Sequence, residues 1–588
     1  MSKKNSKRRV WRGVTTATAS LLALSVCAST VVDGFRTDID KFLGTKSTKL
    51  VTEDTDGVDL YTFKSDYTST TDLLHGIQDV GERMSEEGSV LLKNNGALPL
   101  TKDETQKITL LGFSSYYPVQ GGDMGSSFVE NTGTDADTVD MVQAFKAKGF
   151  GLNQTVADMY EALQPTFKSE VQSWGGTIEY NHITAPSTTG VFSSKEPSQA
   201  ALDGQNAAWK DSMNDNNVMI VTIARSASEN GTYQPGTAGV DPTQNLNQTD
   251  PLGLSDDERD LIQAAVDAKA SNGGKVIVLL NNASAMEVQE IQDNDGVDAI
   301  LQVGLPGGYG FYGVADILSG EVNPSGHTVD IWPSDFTKDP TFTNFSDMSQ
   351  NVDEEGNRMD AWLKYEDGTL SLFCDTEFRE GIYYGYRYYE TKAHDDADGE
   401  SWYQEAVTYP FGYGLSYTTF EYSDLKADEK GVTLAVTNTG SCAGAEIVQL
   451  YVAKQDAKIF RPVQELKGFA KVFLAPGESR TVSIALDDKA FRYWNVKTDR
   501  WEVEGGSYQL RVGASSADIR LTAEVSVKGT NAPDPYEGLD LLHYVSGQIT
   551  YVTDAEFEAL LGHPVPEDVV RIDRNMTLGE ICLLYTSP

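Results

Sequence analysis

The chain has 588 residues, 39% hydrophobic and 10% aromatic, which is enough to bury several cores and argues against wholesale disorder. Its formal charge is −40, yet six cations (Lys3, Lys4, Lys7, Arg8, Arg9 and Arg12) fall in the first twelve positions with no acid among them. The rest therefore carries 41 basic against 87 acidic residues, a net −46. Such a surface repels phosphate backbones and excludes nucleic acid as a partner.

Residues 1–12 form the basic tail, and 13–32 are uncharged, with the apolar run Leu21-Leu-Ala-Leu-Ser-Val26 at their centre. Positive charge followed by about twenty uncharged residues predicts either a cleaved secretory signal or a single N-terminal membrane span. A retained anchor is the preferred reading, because no sharp cleavage site stands out. Cys27 as a lipid-attachment site is disfavoured by the bulky Val26 before it. Either way the bulk of the chain is expected outside the cytoplasm. Residues 33–75 are polar and irregular, a spacer.

From 76 to about 335 the pattern alternates between strand and helix. Ile108–Phe113, Val218–Ile223, Lys275–Leu280 and Val297–Val303 are short apolar runs of the buried-strand type. Ser255-Asp-Asp-Glu258 is a capping box that opens a helix over Arg259–Val266. This alternation predicts an α/β fold, an αβ-sandwich with a largely parallel sheet, over residues 76–420. Residues 336–420 read as loop-rich and aromatic. Beyond Tyr422, Val432–Val436, Glu446–Val452, Arg480–Ile484 and Tyr508–Val512 alternate with no helix between them, which predicts a small β-sandwich of immunoglobulin or fibronectin type over 421–528. Residues 529–588 hold a linker and one amphipathic helix, Asp554–Leu561.

The four cysteines (Cys27, Cys374, Cys442, Cys582) are too far apart for a disulfide scaffold or a zinc pair. The six histidines are scattered, and Asp395-Asp-Ala-Asp-Gly-Glu400 fails the spacing of a calcium loop and reads as an exposed acidic loop. Gly308-Tyr-Gly-Phe-Tyr-Gly313 fits the dinucleotide pattern Gly-x-Gly-x-x-Gly, with Asp330 about twenty residues on. Asp330, however, comes after the turn Asn323-Pro-Ser-Gly326 and ends no clear strand, so a tight strand-to-helix turn is the better reading. Neither a Gly-x-Ser-x-Gly elbow nor a phosphate-binding Gly-Lys-Ser/Thr loop is present.

Several segments, in order, resemble glycoside hydrolase family 3, the β-glucosidase-like enzymes. They are Glu87-Gly-Ser-Val-Leu-Leu-Lys93, Val303-Gly-Leu-Pro-Gly-Gly-Tyr-Gly310, Ala315-Asp-Ile-Leu-Ser-Gly-Glu-Val-Asn-Pro-Ser-Gly326, Glu380-Gly-Ile-Tyr-Tyr-Gly-Tyr-Arg387 and Tyr409-Pro-Phe-Gly-Tyr-Gly414. Leu466-Lys-Gly-Phe469 and Leu474-Ala-Pro-Gly-Glu478 resemble the family's fibronectin type III-like module. The resemblance implies a retaining, exo-acting glycosidase without a cofactor. An Asp on a barrel attacks the anomeric carbon, and a Glu on the αβ-sandwich protonates the leaving oxygen. The family's acid/base loop has the form Arg-x-Ser-Gly-Glu-Gly, followed by a helix with Leu-x-x-x-Glu. This chain has Ala224-Arg-Ser-Ala-Ser-Glu229-Asn-Gly231 and then Leu254-Ser-Asp-Asp-Glu258, which makes Glu229 the candidate acid/base. Ser228 and Asn230 replace two glycines of that pattern.

The order of domains resembles the bacterial branch in which the barrel comes last, and Phe557-Glu-Ala-Leu-Leu-Gly-His-Pro564 resembles its lead-in. A (β/α)₈ barrel takes ~250 residues, and fewer than 30 come after Pro564. The chain is therefore expected to be a fragment that binds an oligosaccharide or glycoside and, lacking the nucleophile, turns over little. The alternative is a non-catalytic, surface-anchored carbohydrate-binding protein. A nucleotide-dependent enzyme built on Gly308–Gly313 is the weakest reading. Neither the sugar, nor the linkage, nor the oligomeric state can be read from the sequence.

Overall fold

The computed structural model describes residues 66–121, 138–167, 196–225, 252–342, 377–395 and 398–565, the isolated Thr18, and the backbone of two short hairpins. The chain divides into two units, Met1–Thr70 and Thr71–Pro588, and the elements described belong to the second. The proposed signal or anchor at 13–32 lies outside the described residues but for Thr18. Among the described residues no helix is long and apolar enough to cross a membrane.

Helix α1 (Thr70–Gly88) leads into a mixed five-stranded sheet. Strands β2 (Ile108–Leu111), β5 (Val218–Arg225), β6 (Lys275–Asn282) and β7 (Ala299–Gln302) run parallel. Edge strand β1 (Val90–Asn94) pairs antiparallel to β7, with a register shift between Leu91 and Lys93, so the order is β1-β7-β6-β5-β2. Hairpins β3 (Ser169–Ser173) with β4 (Gly176–Tyr180), and β9 (Lys364–Glu366) with β10 (Thr369–Ser371), stand apart from it. All eight residues of β5 are buried, because helices cover both faces of the sheet. Met219, Val221 and Ile223 face one core with helices α3 (Gln154–Phe167) and α6 (Asp256–Asn272). Val218 and Ile220 face the other, with α2 (Met141–Ala147) and α8 (Phe311–Ser319). Short helices α4 (Gln199–Gln205), α5 (Trp209–Ser212) and α7 (Gln289–Gln292) complete the crossovers. The predicted capping box is made: Ser255 accepts from the Glu258 amide, and the Glu258 side chain accepts from the Ser255 amide. Gly273, left-handed at φ 68°, ends that helix.

Where the sequence predicts loops over 336–420, two helices occur, α9 (Tyr386–Asp395) and α10 (Gly399–Ala406). Their aromatic residues have modest helix propensity, so burial holds them: Tyr386, Tyr388, Tyr389 and Ala406 share a core with Tyr383 and Tyr451. Strands β8 (Trp332–Pro333) and β11 (Val407–Tyr409) pair beside them. The Tyr409–Gly414 run is held by close backbone contact. A Cβ on Gly414 would come within 2.3 Å of the Gly326 carbonyl oxygen, so only glycine lets this run lie on the 323–326 turn. From that turn Asn323 donates to the Ala443 carbonyl at 3.0 Å and accepts from the Tyr417 amide at 2.8 Å, tying the sheet domain to the next module.

That module is a β-sandwich. One sheet is β12 (Phe420–Asp428), β13 (Gly431–Asn438) and β16 (Ser479–Ala485); the other is β15 (Glu465–Leu474), β14 (Gly444–Lys454), β19 (Gly506–Gly513) and β20 (Ile519–Val527). The strict in–out burial of β13 shows the predicted alternation, with Val432, Leu434 and Val436 inside. A separate hairpin joins β17 (Arg492–Asn495) to β18 (Arg500–Val503).

The last described segment folds back on the sheet domain through α11 (Leu542–Val545) and α12 (Asp554–Leu561). Tyr544 donates to the Arg379 carbonyl at 2.7 Å, and the Arg379 guanidinium pairs with Asp554 at 2.6 Å. Glu556 joins the two helices, accepting from the amide of His543 at 2.9 Å, from its ring Nδ1 at 2.7 Å, and from Thr553. Burial alone would raise its pKa, but the bonds from His543 and Thr553 outweigh burial and bring it from 4.5 to about 2. Because the folded value is depressed, this contribution is complete above pH 4.5 and is lost as pH falls from there towards 2. Hydrogen exchange over residues 553–562, corrected for intrinsic rates, is expected to lose protection across that window. Glu556→Gln should lower the protection at neutral pH and flatten its pH dependence; an unchanged acid profile in that variant would contradict the assignment.

Candidate active site

The C-terminal edge of a parallel sheet is where open α/β folds place their ligands, and here three strand ends carry polar residues. At the end of β5, Arg225 is 1% exposed. Its guanidinium meets Glu258 with two bonds, NH1 to Oε1 at 2.7 Å and NH2 to Oε2 at 2.8 Å, and NH2 also donates to the Gly253 carbonyl at 2.5 Å. Glu258 Oε2 accepts from the Ser255 amide as well, so one carboxylate caps α6 and neutralises Arg225. A buried ion pair holds only when its hydrogen-bonding groups are matched in this way. Arg225 and Gly253 lie on either side of residues 226–251, which include Glu229, and this clamp joins them. Glu229 itself lies outside the described residues.

At the end of β6, Asn281 is fully buried. It accepts from the Val119 amide at 2.8 Å and donates to the carbonyls of Val119 and Gly304 at 2.8 and 2.7 Å, joining the loops after β2 and β7. Beside it opens a cavity of about 450 Å³. Ser284, Gln302, Asp330 and Asp339 supply its polar wall, Trp332 and Phe336 its aromatic wall, and Leu252 borders it next to Gly253. Asp330 is exposed at the cavity mouth, yet partial desolvation by the surrounding wall foremost, and then the nearby Asp339 charge, push its carboxyl up against the bond it accepts from the Ile331 amide.

A second buried carboxyl lies past the end of β2. Glu196 accepts from the Phe113 amide at 2.8 Å and from the Tyr160 hydroxyl at 3.2 Å, while Tyr160 accepts from the Gly112 amide at 3.0 Å. Burial raises the Glu196 pKa well above the usual range, and the charge of Glu258 adds to the rise. Sequence reasoning singled out neither Glu196 nor the cavity. Glu258 was legible as a helix cap, but its partner Arg225 lies 33 positions away, beyond any local pattern.

The other candidates take structural roles. A Cβ on Gly313 would come within 2.5 Å of the Glu82 carbonyl, so the end of the Gly308–Gly313 motif makes room for helix α1 to cross α8. Asp330 lines the cavity instead of ending a second nucleotide-binding strand. Among the described residues one acidic trio has metal-site spacing, Glu82, Glu86 and Asp316. Lys148 Nζ already sits 2.6 Å from both Glu82 and Asp316, so an ammonium takes the place a metal ion would occupy. Cys442 is a free thiol.

The family model for the glycosyl hydrolase family 3 C-terminal domain matches residues 89–417, and that for a fibronectin type III-like domain matches 446–516. The thermostable beta-glucosidase B of Acetivibrio thermocellus is 36% identical over 288 residues, which is 47% of this chain and 32% of that protein. An exo-alpha-(1->6)-L-arabinopyranosidase of Bifidobacterium longum is 38% identical over 277 residues, 46% of this chain and 32% of the relative. The structure of beta-glucosidase 3B from Thermotoga neapolitana in complex with glucose superposes with a TM-score of 0.58 at 30% identity, covering 77% of this chain and 54% of that one. The matched part thus spans about a third of these curated relatives and about half of that structure.

Proposed function

Because the chain belongs to glycoside hydrolase family 3, we propose that it contributes the acid/base half of a β-glucosidase-like, retaining site that releases sugar from the non-reducing end of a glycoside. Glu229 is the proton donor in this reading, and an Asp on a barrel domain is the nucleophile, as the family resemblance implies. The observation that supports it is the buried Arg225–Glu258 clamp, which joins Arg225, at the C-terminal end of its strand, to Gly253, the two lying on either side of the stretch that includes Glu229. The names of the relatives, glucosidases and an arabinopyranosidase, support a neutral pyranose substrate with glucose first. Hydrolysis of p-nitrophenyl β-glucoside by the protein with its barrel tests the reading; no turnover on any aryl pyranoside would overturn it.

Export is part of the same proposal, supported by the basic residues 1–12 ahead of the uncharged residues 13–32. The full chain is expected to sediment with membranes in its native host, and a chain without residues 1–32 to stay soluble in the cytoplasm. Recovery of both in the cytosolic fraction would contradict it.

A further inference from the structure

Helix α9 carries a carboxyl group into the contact between the sheet domain and the β-module, and the fold leaves that group without an ion pair. Glu390 Oε2 accepts from the Gln464 side-chain amide at 2.8 Å, while Oε1 is sealed from solvent with no hydrogen bond. The hydroxyls of Tyr403, on α10, and Ser516, on the module, are sealed close beside it. Arg511 is the cation that acts on this carboxyl, but its donors point elsewhere. Nη1 meets Gln464 Oε1 at 3.1 Å, and Nε and Nη2 meet Gln509 at 3.1 and 3.0 Å. Gln464 also donates to the Ser516 carbonyl at 2.8 Å, so the network has no slack to turn towards Glu390. A carboxylate withdrawn from water costs free energy when no cation is bonded to it, and the neutral acid is the easier form to bury. Burial foremost pushes the Glu390 carboxyl up from 4.5 to about 7, against Ser516, Gln464 and the charge of Arg511.

The same face of α9 docks on the module at three further points. The Tyr386 hydroxyl accepts from the Leu466 amide at 2.8 Å, the Thr391 hydroxyl accepts from the Val463 amide at 3.0 Å, and Arg387 pairs with Glu465 at 3.4 Å. Of the ionisable groups that act on Glu390 or feel its charge, Tyr386 on α9, Tyr403 on α10 and Tyr451 on β14 are pushed up by burial and stay neutral. Arg511 on β19 stays charged. Within this cluster Glu390 is the group whose charge changes near neutrality. We propose that the contact is a proton-dependent latch, which holds α9 against the β-module while the Glu390 carboxyl is neutral and loosens when it ionises. The docked state keeps a proton that a solvated glutamate gives up. Docking is therefore complete below pH 4.5, weakens as pH rises from there to about 7, and is level above. Helices α9 and α10 lead into β11, which pairs with β8 at Trp332, so the latch backs one wall of the cavity beside β6. It depends on neither the sugar nor the role of Glu229.

The test is hydrogen exchange of the full chain between pH 5 and pH 8, corrected for intrinsic rates and read over residues 386–395 and 463–466. Each unit of pKa shift is worth a factor of ten in the opening equilibrium, so protection there is expected to fall at least about tenfold across this range. Residues 553–562, whose own transition lies below pH 4.5, serve as the internal control and should change little. Glu390→Gln keeps the shape and removes the charge, and it should hold the protection of both segments level from pH 5 to pH 8. Arg511→Gln removes the cation that favours the ionised carboxyl, so the fall should move to higher pH. That shift tests the latch independently should Glu390→Gln disturb the fold. A parent whose protection is flat or rises with pH would overturn the proposal. So would a Glu390→Gln variant that keeps the parent's pH dependence, or an Arg511→Gln variant whose midpoint stays where it was.

Discussion

Arg225→Met is expected to destabilise the sheet domain by about 3–5 kcal/mol, the cost of leaving a buried carboxylate without its counter-charge. Glu258 is as buried as Arg225, each side chain being 1% exposed, so water cannot replace the lost guanidinium. The same change removes the bond that holds Gly253 to the end of β5. Stability and activity should therefore fall together. The double variant Arg225→Met, Glu258→Gln is expected to recover part of the stability, because a neutral amide can still accept from the Ser255 amide and is cheaper to bury than a charge. It should recover little activity, since Gly253 stays unheld. Urea unfolding of the single and double variants checks this. A loss below about 1 kcal/mol for the single variant would show that the pair is not the clamp described, since that is the scale of an exposed ion pair.

Glu229→Gln is expected to lower kcat/KM on an alkyl or sugar β-glucoside by ~10²–10⁴-fold, the usual contribution of a positioned general acid. The loss should shrink sharply for a dinitrophenyl leaving group, which departs without a proton. That dependence separates an acid from a residue that merely shapes the site, whose removal slows all substrates alike. Comparing alkyl, p-nitrophenyl and dinitrophenyl β-glucosides measures it. A uniform loss across the three would remove Glu229 from the acid role.

Much of the fold could be read from the chain because its physical signals are local. The continuous apolar runs at Ile108, Val218 and Lys275 announce strands buried on both faces, and Ser255 with Glu258 announces a helix start. Strand β1 escaped a pattern argument because Lys93 and Asn94 cut its apolar run to three residues, and its pairing shifts register between Leu91 and Lys93. Helices α9 and α10 escaped because their tyrosines are held by burial against Tyr451 and Tyr544, contacts no window of sequence contains. The site was less legible for the same reason. Glu258 shows its cap in sequence but not its bond to Arg225, and Asp330 acquires its surroundings from strands and loops that meet only in the fold. The Gly308–Gly313 motif misleads in the opposite direction: its spacing suggests phosphate, while Gly313 serves a helix crossing.

The central claim, that Glu229 is the acid/base of a retaining site, is tested most directly by azide rescue of Glu229→Gln in the barrel-containing protein. With a dinitrophenyl β-glucoside the variant should form a glycosyl-enzyme that water attacks slowly, because no base remains to activate it. Azide needs no base, so added azide is expected to restore turnover and to yield the β-glucosyl azide. No acceleration by azide, or an α-configured product, would contradict the account.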